Sequence, residues 1–156
     1  MIKLRIYICL LASFGLAAIA VGCGDGESAA ETASMTKAGF IKAADSICKR
    51  ADEAQGAELS AYSKANPNAE SSQAGRVKLV AAAGLPPIRL EIEELAELSL
   101  PEGEEEKAGE IVEGMEKALE GAEAAPAKVL DQKENPFSAV ESEAAKFGLK
   151  ECDKPL

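Results

Sequence analysis

The chain has 156 residues, with 27 acidic against 17 basic side chains, a net charge of −10, and neither histidine nor tryptophan. So acidic a balance argues against nucleic-acid binding and against polybasic attraction to anionic lipid, since both need a positive surface. Lack of histidine removes the usual general base and the commonest transition-metal ligand, which excludes the Glu-x-x-His pattern of di-iron bundles.

Lys3 and Arg5 precede an apolar run from Ile6 to Val21. At about 16 residues the run is shorter than the roughly 20 that a spanning helix needs. A basic start, an apolar centre and small residues at the far end are the order of an export signal. Ala20-Val21-Gly22-Cys23 resembles the end of a bacterial lipoprotein signal. That resemblance implies a diacylglyceryl thioether on Cys23 Sγ, cleavage before Cys23 and loss of residues 1–22. Two or more acyl chains hold a protein stably on a bilayer, so this reading places it on the extracytoplasmic face of the cell membrane. Ala18-Ile19-Ala20 offers an ordinary signal-peptidase site as the alternative, which would release a soluble secreted protein with Cys23 free. An uncleaved signal anchor is the third option.

Cys9 leaves with the signal and Cys23 carries the lipid. Cys48 and Cys152 then remain as one even pair in an oxidising compartment, and we expect a disulfide between them. Two separate buried thiols are the competing arrangement.

Residues 23–35 are the lipidated cysteine and a small, polar, aperiodic tether; about 12 such residues reach roughly 20 Å. Residues 36–156 read as one helical domain. Thr36 is the N-cap of a first helix with Phe40, Ile41, Ala44, Ile47, Cys48, Ala51, Leu59 and Tyr62 at three- and four-residue spacings, and Asn66-Pro67-Asn68 stops it. A second segment starts near Ser71 or Ser72 and carries Val77, Leu79, Val80 and Ala83. Gly84-Leu85-Pro86-Pro87 must break or sharply kink it, because proline lacks an N–H and clashes with the preceding turn. Helix resumes with Ile88, Ile92, Leu95 and Leu98 inward, up to a turn at Pro101-Glu102-Gly103.

Glu104, Glu105 and Glu106 open the next helix, where carboxylates suit the positive end of the dipole. Ile111, Val112, Met115, Leu119 and Ala122 form its buried stripe, and Pro126 kinks or ends it. Asn135-Pro136 is a cap and first-turn pair for a last helix that buries Phe137, Val140, Ala144 and Phe147 and stops at Gly148. These elements predict an all-α fold: an antiparallel bundle of about four helices, one broken at Pro86-Pro87.

No phosphate loop, dinucleotide glycine motif, nucleophile elbow or Cys-x-x-Cys pair occurs, so no catalytic, cofactor-binding or metal-ligating residue is assigned and an enzyme is not expected. Glu91, Glu93, Glu94 and Glu97 cluster on one helix, and Glu110, Glu113, Glu116, Glu120 and Glu123 run along the next. A cation site is one reading; a solvated face, supported by the Glu113–Lys117 spacing, is the other and is preferred. The Leu85-Pro86-Pro87 break lines a small pocket between helices or is a simple corner, the corner being preferred.

Phe40-Ile41-x-x-Ala44-Asp45-x-x-Cys48 and Phe147-Gly148-Leu149-Lys150-x-Cys152 resemble patterns in small exported helical lipoproteins of actinobacteria, as do Leu85-Pro86-Pro87 and Leu100-Pro101-x-Gly103 between them. The resemblance implies a helical fold, pairing of the first and last cysteines of the domain, and no assigned activity. The resulting expectation is a lipid-anchored, non-catalytic extracytoplasmic module. Its partners are the membrane, through its lipid, and an envelope protein; the alternative is a carrier of a small apolar ligand.

Overall fold

The computed structural model describes residues 35–152. The signal, Cys23 and nearly all of the tether lie outside the described residues.

The described residues form an all-α antiparallel bundle without strands. Helix α1 (Lys37–Ala65) begins at Thr36, whose side chain accepts a hydrogen bond from Gly39 N–H at 3.1 Å. It ends at Asn66, next to Pro67, as the Asn-Pro-Asn stop requires. Its N-terminal half buries Phe40, Ala44, Ile47 and Cys48; Leu59 and Tyr62 on its far half are only partly covered. Helix α2 (Gln73–Leu79) is capped by Ser72, whose hydroxyl accepts from Gly75 N–H at 3.1 Å.

From α2 the backbone stays helical through Val80–Gly84, a π-turn, and into α3 (Leu85–Ala96). The interruption falls where the two prolines place it, but it widens the helix by a residue instead of opening a corner. Leu85 N–H donates to Val80 O, five residues back. A proline ring collides with the carbonyl four residues earlier in regular α geometry, and one extra residue in the turn moves that carbonyl aside. Gln55 of α1 supplies a foreign donor here: its Nε2 reaches Gly84 O at 3.0 Å.

Beyond α3, Glu104 N–H donates to Pro101 O at 3.0 Å across a turn in which Gly103 has φ +77°. That sign of φ at the third turn position is the reason for glycine there. Helix α4 (Glu105–Ala124) buries Ile111, Met115 and Leu119, with Ala108, Ala118 and Ala122 between them. A 3₁₀ turn (Pro126–Leu130) follows. Asn135 acts one turn ahead of α5 (Ser138–Phe147): its Oδ1 accepts from Phe137 N–H at 3.0 Å. Gly148 closes α5 in the left-handed region at φ +113°, with its N–H shared between Ala144 O and Ala145 O.

One core joins the helices, with α3 between α1 and α4, and α5 on α4. Phe40 and Phe147 meet edge to face at 6.0 Å between centroids, and Lys37 Nζ lies 4.3 Å over the Phe147 ring. Burying a phenylalanine of this kind stabilises by about 1.5–3 kcal/mol. The Cys48–Cys152 disulfide ties the tail to the middle of α1, with Cα atoms 5.2 Å apart. Among the described residues no helix is long and apolar enough to cross a membrane.

Candidate functional site

The π-turn and α1 enclose an open groove of about 330 Å³. Ile47, Ala51 and Ala54 come from α1; Ala82 and Ala83 from the π-turn; Pro86, Pro87 and Leu90 from α3. The groove exists because both walls carry small side chains where they face each other. Leu90 is 60% exposed, an unusual state for a leucine beside a core helix face. Arg50, Glu58, Glu91 and Glu94 supply its charged groups, and Arg50 is paired with Glu94 across α1 and α3.

The prolines also leave a backbone deficit. Ala82 O lies four and five residues before Pro86 and Pro87, neither of which has an N–H to give it. The pocket that the sequence offered as the less favoured reading of Leu85-Pro86-Pro87 is therefore present, and the corner is not.

Glu91 departs from the solvated acidic face. Glu93, Glu94 and Glu97 are exposed, whereas Glu91 is half-buried on the stripe between Ile88 and Leu95. Its carboxyl oxygen and the two disulfide sulfurs lie within 4.8 Å of one another. Desolvation, and second the negative charge of Asp52, push its pKa up from 4.5 to about 8, so the acid is mostly neutral at pH 7. The sulfurs are bonded to each other, so the trio sets an acid beside a disulfide and does not form a ligand set.

Next to the disulfide Glu91 also lines a cleft of about 40 Å³ with Asp52, Glu141, Glu151 and Cys152. Several acids thus converge, one with perturbed titration, which is the arrangement a carboxylate-only enzyme would need. A cleft of that size holds a few waters at most.

A second, wider groove of about 730 Å³ runs between α4 and α5 over Ile111, Gly114, Ala118, Val140 and Phe147. Lys37, Lys107, Lys117 and Lys146 edge it. Glu104, Glu113 and Glu143 pair with those lysines, which leaves the rim close to neutral. The Glu113–Lys117 pair expected from spacing is present, with Lys117 drawing the Glu113 pKa down.

Of the residues singled out in the sequence, Cys48 and Cys152 are joined and Cys23 lies outside the described residues. Glu91 was named only within the acidic cluster read as a solvated face, and Ala51 and Ala83 only as apolar positions of their helices; Ala54 and Ala82 were not named. The signal for Glu91 was its position, three residues after Ile88 and four before Leu95; its charge argued the other way. No protein-family model, curated protein or solved structure matches the chain.

Proposed function

We propose that the protein is a lipid-anchored, non-catalytic module on the extracytoplasmic face of a bacterial membrane, acting through its surface on an envelope partner. The observation that carries this reading is Ala20-Val21-Gly22-Cys23 at the end of a basic-then-apolar leader. A non-catalytic role is supported by the lack of histidine and of any nucleophile or phosphate-binding motif. Intact mass of the membrane-extracted protein tests the anchor. Loss of residues 1–22 plus the mass of acyl chains is expected, with Cys23→Ser released from the membrane fraction. An unacylated product recovered from the culture medium would overturn it.

A second reading, carriage of a small apolar ligand, is favoured by one observation: the open, apolar groove at Pro86-Pro87. Its volume lies at the low end for small-molecule sites. π-turns often mark functional positions in helices, since they are retained despite poorer hydrogen-bond geometry.

A further inference from the structure

We propose that the Cys48–Cys152 disulfide is a redox-responsive catch for the tail, opened by an external dithiol, with Glu91 as the proton donor to the sulfur that leaves.

The placement of the three groups carries this. Cys48 lies within α1 and is 1% exposed, whereas Cys152 is 6% exposed, stands beyond α5 on the irregular tail and lines the small cleft. Cys152 Sγ is therefore the sulfur that an incoming thiolate attacks, and Cys48 Sγ is the one displaced. The displaced sulfur is left in the core, where a thiolate without a proton is strongly disfavoured. A Glu91 carboxyl oxygen lies within 4.8 Å of both sulfurs. It is close enough to give up a proton directly once the S–S bond opens, or through one water of the cleft.

The state of the acid suits the task. Desolvation first, and then the charge of Asp52, keep the Glu91 carboxyl protonated, with a pKa of about 8. A free thiol titrates near about 8.5 and a buried one higher, so the proton passes downhill from Glu91 to the Cys48 thiolate. The charged groups around Glu91 are Asp52 of α1, Glu141 of α5 and Glu151 of the tail in the cleft, and Arg50, Glu58 and Glu94 in the groove. Helix α4 brings Met115 to the cleft, which carries no charge.

One thiolate of the dithiol bonds to Cys152 Sγ; the Cys48–Cys152 bond breaks, and its electron pair leaves on Cys48 Sγ, which takes the Glu91 proton. The second thiol of the reagent, as thiolate, attacks the reagent sulfur of this mixed disulfide. Cys152 then leaves with the electron pair and is protonated by solvent, which also restores the proton on Glu91. The protein gains two electrons and two protons, and the dithiol that loses them becomes a disulfide. The untied tail is then held by the Asp45 hydrogen bonds and by buried Leu149.

Reduction of the full chain by dithiothreitol between pH 5 and pH 9 tests this, with Cys48 and Cys152 alkylated at intervals and followed by peptide mass. Each rate is divided by the thiolate fraction of the reagent. The corrected parent rate is expected to be level below about pH 7 and to fall above about pH 8, toward that of Glu91→Gln. Glu91→Gln should be at least tenfold slower at pH 7, with a corrected rate independent of pH, since a positioned general acid contributes about a hundredfold or more. With a monothiol, the mixed disulfide should form on Cys152. A Glu91→Gln rate at pH 7 equal to or above that of the parent would overturn the proton-donor role, because the carboxyl would then only repel the attacking thiolate. Corrected profiles of one shape for the two proteins would overturn it equally. An adduct on Cys48 would overturn the assignment of the leaving sulfur. A disulfide that opens only with global unfolding would remove the catch altogether.

Discussion

Asp45 Oδ1 accepts hydrogen bonds from two successive backbone donors, Lys150 N–H at 2.8 Å and Glu151 N–H at 3.0 Å, across more than a hundred residues of chain. It lies one turn before Cys48 on α1, and the two donors immediately precede Cys152. One face of α1 thus holds the tail by a carboxylate first and a disulfide next. Hydrogen bonds to a charged group contribute about 1.5–3 kcal/mol, so Asp45→Ala should lower stability by roughly that amount. Asp45→Asn keeps an acceptor oxygen and should lose less than half as much. Urea unfolding of the two variants measures this; an Asp45→Ala midpoint equal to that of the parent would show the contact to be idle.

The disulfide and the Asp45 clamp restrain the same segment, so their effects should not add. Cys48→Ser with Cys152→Ser should cost about 2–5 kcal/mol by freeing a long loop in the unfolded chain. Once that loop is free, the tail can leave α1 more readily and the Asp45 contact has less to hold. A double-mutant cycle should give a coupling above about 0.5 kcal/mol, the range for residues in one network. Strict additivity would mean that the tail is held by Leu149, which is buried, independently of both.

Much of this docking was legible in the sequence, in a form that could not be interpreted there. Phe40, Ile41, Asp45 and Cys48 recur at helical spacing, and Phe147, Gly148, Lys150 and Cys152 follow in tight succession. The structure brings them together in order: Phe40 against Phe147, Ile41 beside Gly148, Asp45 on the Lys150 amide, Cys48 on Cys152. Helix extents were equally readable, because Thr36, Ser72, Pro126 and Gly148 are local signals whose effect needs no tertiary partner. What escaped depends on neighbours distant in sequence. Two prolines announce an interruption, but whether the chain turns a corner or widens by a residue is decided by packing on α1 and by Gln55 reaching Gly84 O. Glu91 was assigned to water on its chemistry, although its spacing from Ile88 and Leu95 placed it on the inward stripe. The tail beyond α5 buries Leu149 without any periodicity to announce it.

Gly75 should tolerate no side chain. A Cβ built there overlaps the carbonyl oxygen of Ala69, because the short 3₁₀ turn Ala69–Ser71 folds back onto the first turn of α2. Backbone cannot yield as a flexible side chain can, so Gly75→Ala should cost about 1–3 kcal/mol, the range for overpacking. The same Gly75 N–H is held by the Ser72 cap. The damage should therefore appear as faster amide hydrogen exchange through α2, with protection at Phe40–Cys48 unchanged. Parent-like exchange in α2 would mean that the 3₁₀ turn shifts without resistance.

Glu91 should make the fold less stable as the solution becomes alkaline. Its pKa is about 8 in the folded chain against an ordinary 4.5, so between these values the folded state holds a proton that the unfolded state has lost. Stability then falls as pH rises through that window, levels off above pH 8 and is unaffected by this group below pH 4.5. The full loss is on the order of 5 kcal/mol at most, from about 1.4 kcal/mol per pH unit. Glu91→Gln keeps the shape of the neutral acid and cannot ionise. It should match the parent near pH 4.5, exceed it at pH 9 by a thermal midpoint several degrees higher, and flatten the pH profile between. Parallel profiles for the two proteins from pH 5 to pH 9 would show that the Glu91 carboxyl ionises freely beside the disulfide.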